Sequence, residues 1–214
     1  MVEIILNMTS MDWIIFAVTI VAIAFLIIDI KIYNGTSNSF FTWLLWGILD
    51  SILFVTTYKE KGTDLPLLAG SVIGSFTVSF YLFITKRRKW TEEESLILGL
   101  VIATMAIWFV SWLIFKNNII GIISAVTAEM LAGIPLMKAS WKKPGSRYTL
   151  VSYLFFLASY ILTLAHTEVW RIENFLFPLS FLIYSVGDTS PLIRKWWRIQ
   201  HRYFLIKKNN KTTS

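Results

Sequence analysis

Seven apolar stretches, each closed by a short polar connection, leave this 214-residue chain few structures to choose from. They run Trp13–Ile32, Phe40–Tyr58, Leu65–Thr85, Ser95–Phe115, Ile119–Ser140, Tyr148–His166 and Ile172–Ile193. A helix needs about 20 apolar residues to cross a bilayer. No water there can satisfy an open backbone, so each run is expected to span as an α-helix. The connections are too short for a separate soluble domain. The expected fold is all-α, a polytopic membrane protein of seven transmembrane helices. Residues 1–193 form one membrane domain and 194–214 a basic tail. The leading segment has Glu3 and Asp12 but no Lys or Arg. No small-residue cleavage site follows, so the first run is expected to stay as a helix rather than be removed as a signal.

Composition narrows the function classes. Hydrophobic residues make up 56% of the chain and charged ones 15%, against about 45–50% and about 25% in soluble domains. A disordered chain, a disulfide scaffold and an ordinary soluble enzyme are excluded. Cysteine is absent, which removes disulfides, thiolate catalysis and Cys-type zinc or iron–sulfur sites. His166 and His201 lie too far apart for a local metal motif. Glycine-rich phosphate loops, HExxH and GxSxG are all missing. No catalytic residue, metal ligand or cofactor is therefore expected, and an intramembrane enzyme ranks last among the readings. A retinal protein would need a buried Schiff-base lysine, which the seventh run lacks.

The cations set the expected orientation. One side holds Lys31, Lys86 to Lys89, Lys138, Lys142, Lys143, Arg147 and the seven cations between Arg194 and Lys211. The other holds Lys59, Lys61, Lys116 and Arg171. Positive charge collects on the cytoplasmic side, so the N-terminus is expected outside a plasma or inner membrane and the C-terminus in the cytoplasm. The tail RKWWRIQHRYFLIKK then reads as an anchor on anionic lipid, with Trp196 and Trp197 at headgroup level, rather than as a nucleic-acid site. The oligomeric state is left open.

A shift of 107 residues lays span 1 on span 5 and span 2 on span 6. It pairs Lys31 with Lys138, Thr42 with Thr149, Trp46 with Tyr153 and Leu53 with Tyr160. Three spans (13–85), a linking fourth (95–115) and three more (119–193) make a parallel repeat about an axis along the membrane normal. This 3+1+3 plan resembles the PQ-loop/SWEET-type transporters, and the PnuC-type vitamin-precursor carriers share it. The segments TWLLWGILDSILF, LLAGSVIGSF and AGIPLMKASWKKP also resemble small seven-span bacterial proteins of unknown function. None of the five prolines is followed by Gln, so the PQ dipeptide is absent. The resemblance implies transport.

Acids inside a membrane are costly and are functional candidates by default. Asp50 and Glu129 stand near the middles of spans 2 and 5. Asp29, Lys138, His166 and Asp188 lie nearer span ends, where they reach the interface or one another. Asp50 shares a helical face with Trp43, Trp46 and Thr57. A carboxyl beside indole rings suits a small polar or cationic solute. The alternative is a hydrogen-bonded carboxyl that joins two helices. Substrate binding is thus assigned to Asp50, Trp46, Trp43, Glu129 and Tyr153. If Asp50 and Glu129 face one cavity, one would hold a proton, which permits proton-coupled transport. Pro135 and Pro178 are candidate hinges, since each removes a helix hydrogen bond. Gly70 and Gly74 form a GxxxG motif expected to pack within the monomer, beside a polar seam of Ser71, Ser75 and Ser79. Gly133 lies with Ala125 and Ala132 on a small-residue stripe. Trp108 and Trp112 read as aromatic belt, His166 as an interface residue beside Glu168, and Thr91 with Glu94 as a capping box.

Two functions follow. One is a small-solute transporter with a mid-membrane site between the three-helix halves. The other is a non-transporting receptor, scaffold or assembly protein in which the acids are sealed by their neighbours.

Overall fold

The computed structural model describes residues 8–33, 39–59, 65–85, 92–114 and 118–212. It contains seven helices: α1 (Ser10–Tyr33), α2 (Phe40–Lys59), α3 (Leu65–Ile84), α4 (Glu92–Leu113), α5 (Asn118–Lys142), α6 (Arg147–His166) and α7 (Ile172–Thr212). All seven are long and apolar enough to cross a membrane. The protein is an all-α, seven-helix integral membrane protein.

Polar side chains set several boundaries that hydropathy alone places differently. Helix α1 starts before Trp13 because Thr9 caps it. The Asp12 amide donates to Thr9 Oγ1 (3.2 Å) and the Thr9 amide to Asp12 Oδ2 (2.8 Å), a reciprocal pairing that satisfies two end donors. Ser146 does the same for α6. Its Oγ accepts from the Tyr148 amide (3.0 Å), and its own amide donates to Thr149 Oγ1 (3.1 Å). The preceding Pro144-Gly145 pair ends α5. The largest departure is α7, which continues 19 residues past Ile193 to Thr212. The basic tail is therefore the same helix as the seventh span. Arg, Lys and Gln are good helix formers, and no Pro or Gly interrupts them. Thr91, half of the expected capping box with Glu94, lies outside the described residues. Glu94 itself accepts a hydrogen bond from Ser39 Oγ (2.6 Å), tying the start of α4 to the start of α2.

The helices are not packed in chain order. Within the first three, α3 contacts both α1 and α2; within the last three, α7 contacts both α5 and α6. Between these groups the main contacts are α1 with α6 and α2 with α5, while α4 lies outside against α5. With α4 set aside, exchanging α1, α2 and α3 with α5, α6 and α7 maps these main contacts onto one another. The hydrogen bonds across the groups echo it. Ser152 Oγ of α6 donates to the Ala22 carbonyl of α1 (2.7 Å), and Trp46 Nε1 of α2 donates to the Glu129 carbonyl of α5 (2.8 Å).

Close approach depends on small residues. Gly70 and Gly74 of α3 lie against Thr19 and Ile23 of α1, so the GxxxG packs within the monomer. Gly133 lies against Trp46 and Tyr184. Trp13 and Trp170 are exposed at one end of the bundle, Trp141 and Trp197 at the other. These form the aromatic belts that mark membrane interfaces. Trp108 lies over Gly121 near the start of α5, where an added Cβ would come within 3.3 Å of its ring. The Trp112 side chain lies outside the described residues.

Candidate functional site

Between the two three-helix groups is a cavity of about 30 Å³, room for roughly one water. Trp43 and Trp46 come from α2, Ser71 and Ser75 from α3, Tyr153, Phe156 and Tyr160 from α6, and Phe181, Tyr184, Ser185 and Asp188 from α7. The rings form a connected wall. Trp46 meets Trp43, Phe181 and Tyr184 edge-on, with centroids 5.1, 5.7 and 5.5 Å apart, and Phe181 lies 5.8 Å from Tyr160. Such edge contacts suit the ring quadrupoles and hold the wall in shape.

Five residues were assigned to substrate binding from the sequence. Trp43, Trp46 and Tyr153 line the cavity. Asp50 and Glu129 are both fully buried, at 0% exposure, and lie behind the lining rather than in it. Ser71 Oγ donates to Asp50 Oδ2 at 2.6 Å and Ser75 Oγ at 3.2 Å. Because both serines line the cavity, they connect Asp50 to it. On its other side Asp50 meets the Glu129 carboxyl. The sequence reading depended on the two acids facing one cavity, and neither belongs to its lining.

Asp188 takes the place the sequence assigned to Asp50. Its carboxyl is 1% exposed and lines the cavity. Reading span 7 as ending at Ile193 put Asp188 near an interface. The structure keeps Asp188 toward that end of the apolar stretch but buries it inside the bundle. Tyr184 lies beside this carboxyl, but its hydroxyl donates its only proton to the Gly133 carbonyl (2.6 Å). Among the described residues, no donor is aimed at either Asp188 oxygen. No Lys, Arg or His lines the cavity. Trp43 Nε1 and the Tyr153 hydroxyl are also buried without a hydrogen-bond partner. Unsatisfied polar atoms are uncommon in protein interiors.

Asp29 was likewise placed near an interface, but it is completely buried. The Ser146 hydroxyl donates to its Oδ1, so the α6 cap reaches across to α1. His166 pairs with Asp12 of α1 at 3.6 Å, not with its sequence neighbour Glu168. Lys138 is exposed. Pro135 and Pro178 both lie inside unbroken helices. Around Pro135, the carbonyls of Glu129, Ala132 and Gly133 accept from Trp46, Thr42 (2.9 Å) and Tyr184. These bonds pin the segment before the proline to α2 and α7. Pro191, absent from the sequence assignment, lacks the N–H that would bond the Gly187 carbonyl, one residue before Asp188. Tyr160, Tyr184 and Ser185 were also missed. Their spacings were visible, two turns from Tyr153 to Tyr160 and one turn from Tyr184 and Ser185 to Asp188, but a stripe of aromatic residues is more often simple core.

Among the described residues no cluster of His, Asp or Glu is arranged to hold a metal ion. No family model, curated protein or solved structure matches the chain.

Proposed function

We propose that this protein is a small-solute transporter whose site lies between two three-helix halves, and that the solute carries a positive charge. One observation carries the reading: a buried cavity shared by both groups of helices, walled by aromatic rings and holding a carboxyl toward which no donor is aimed. Aromatic faces and a carboxylate are the two groups that stabilise an organic cation away from water. The absence of a basic side chain from the lining leaves the positive charge to the ligand. The self-mapping adjacency supports a repeat, and repeats related by an axis along the membrane normal place substrate sites at their interface. At its present volume the cavity excludes solutes, so a transport cycle would require the halves to separate on one side and then the other.

The test uses purified protein in proteoliposomes with tetramethylammonium, whose charge does not depend on pH. Saturable uptake is expected, together with loss of at least tenfold of it in Asp188→Asn. Wild-type protein that binds neither this probe nor choline and moves neither would reject the cation-transporter reading.

A second reading, a non-transporting receptor, scaffold or assembly protein, is favoured by one feature. Asp50 and Glu129 are fully buried and outside the lining, as in a structural acid pair. Under that reading no solute would protect the cavity residues from chemical labelling, and the stability losses of Asp50→Asn would exceed any functional effect.

A further inference from the structure

At the basic end of the bundle, α5, α7 and the loop between α5 and α6 enclose a second, more open depression of about 520 Å³. Its lining is Trp141, Pro144, Pro191, Arg194, Lys195, Arg198 and Ile199. Three of the seven are cations and none is acidic.

The cations are held in place. Lys195 Nζ donates to the Pro144 carbonyl (3.0 Å) and the Gly145 carbonyl (2.9 Å). An ammonium has three N–H donors, so one remains. The Arg194 guanidinium lies over the Trp141 ring, 5.8 Å from its centroid. That contact uses the cation's face and leaves its N–H edge available. Arg198 follows Arg194 by four residues and so lies one turn further along the same face. The remaining walls, Pro144, Pro191 and Ile199, are apolar. This combination suits an anion joined to an apolar body.

Position selects the source of that anion. Trp141 lies at the end of the α5 span (Ile119–Lys142) and is half exposed. Arg194 immediately follows Ile193, the last apolar residue before the basic stretch of α7. Tryptophan and the first cations beyond an apolar span mark the headgroup level. Basic pockets between transmembrane helices hold lipid phosphates at that level. We propose that this depression is a binding site for the phosphate headgroup of an anionic phospholipid, contacted by Arg194, Lys195 and Arg198, with the glycerol end of the lipid against Pro144, Pro191 and Ile199. The proposal does not depend on transport.

Native mass spectrometry of the whole protein tests it, with dioleoylphosphatidylglycerol compared with dioleoylphosphatidylcholine of identical chains. Wild type is expected to retain the anionic lipid at least tenfold more strongly. Arg194→Gln with Arg198→Gln should lose that preference. Lys142→Gln with Lys143→Gln removes two exposed cations from the same end but outside the depression, and should keep it. Equal loss in both pairs would reduce the effect to general charge and overturn the site. Displacement of the lipid by millimolar inorganic phosphate would assign the pocket to a free anion and overturn the lipid source. Should the double variant fail to fold, Arg198→Gln alone is measured. This arginine is exposed, and unchanged lipid preference in the folded single variant would also overturn the proposal.

Discussion

Gly133→Ala offers a direct test of how the two helix groups are held together. Gly133 lies on α5, and a Cβ built there would be 2.6 and 2.8 Å from two ring carbons of Tyr184 and 2.8 Å from Trp46 Cζ2. Carbon atoms pack best at about 3.5–4.0 Å, so each ring would have to move by close to 1 Å. Neither is free to do so. Tyr184 is bonded to the carbonyl of Gly133 itself, and Trp46 to the carbonyl of Glu129. Forcing an extra methyl into a filled site costs about 1–3 kcal/mol, and losing the Tyr184 bond about 1 kcal/mol more. The reference is Gly99→Ala on α4, where nothing lies within 4 Å of the new Cβ. Alanine favours a helix over glycine by up to about 1 kcal/mol in both variants. That contribution cancels, and the difference between them isolates packing, at about 2–4 kcal/mol. Unfolding in mixed micelles, titrated with a denaturing detergent and followed by circular dichroism, measures it. Gly133→Ala should unfold at clearly lower denaturant than wild type, and Gly99→Ala at an equal or higher concentration. A Gly133→Ala protein as stable as Gly99→Ala would refute the packing of α5 against α2 and α7.

Further expectations concern the polar groups. Asp50→Asn keeps a side chain that can accept from Ser71 and Ser75, so the protein should still assemble; uptake of tetramethylammonium should fall at least fivefold, and unchanged uptake would remove Asp50 from the site. Ser71→Ala should weaken uptake more than Ser79→Ala, because Ser71 links Asp50 to the cavity while Ser79 Oγ bonds only its own helix at Phe76 (3.0 Å); equal effects in a transport assay would contradict this. Ser146→Ala loses the α6 cap and the bond to buried Asp29, with an expected cost of about 1–2 kcal/mol; a detergent unfolding curve identical to wild type would show that neither bond contributes. His166→Asn removes only a partly exposed pair with Asp12, worth about 0–1 kcal/mol, and should leave the unfolding midpoint nearly unchanged.

Length and apolarity of the seven runs settled the class of fold. A polypeptide in lipid must satisfy its own backbone, so an apolar run of that length has a single solution, and the helices lie where the runs lie. The glycines of LLAGSVIGSF and the small-residue stripe around Gly133 announced close helix approaches for the same reason: only small side chains permit them. Which partner each approach meets could not be read there. Thr19 and Ile23 opposite Gly70 and Gly74 follow from α3 packing between α1 and α2, a non-sequential order that no local pattern encodes.

The candidate site was divided in the same way. Trp43 and Trp46 beside an acid were legible as a face of one helix, since a period of 3.6 puts them together. Asp50 and Glu129 were legible as mid-span acids, but their contact is a fact of α2 lying on α5. Asp188 was legible as an acid toward the end of its span, but its burial beside the cavity comes from α2, α3 and α6. Asp29 was legible as an acid near the end of its span, but its cover comes from Ser146, 117 residues away. Local sequence sets where a helix lies and which residues share a face. Only tertiary packing decides which of those faces meet, which acids are covered, and that the gap between them is walled by rings and a carboxyl with no donor aimed at it.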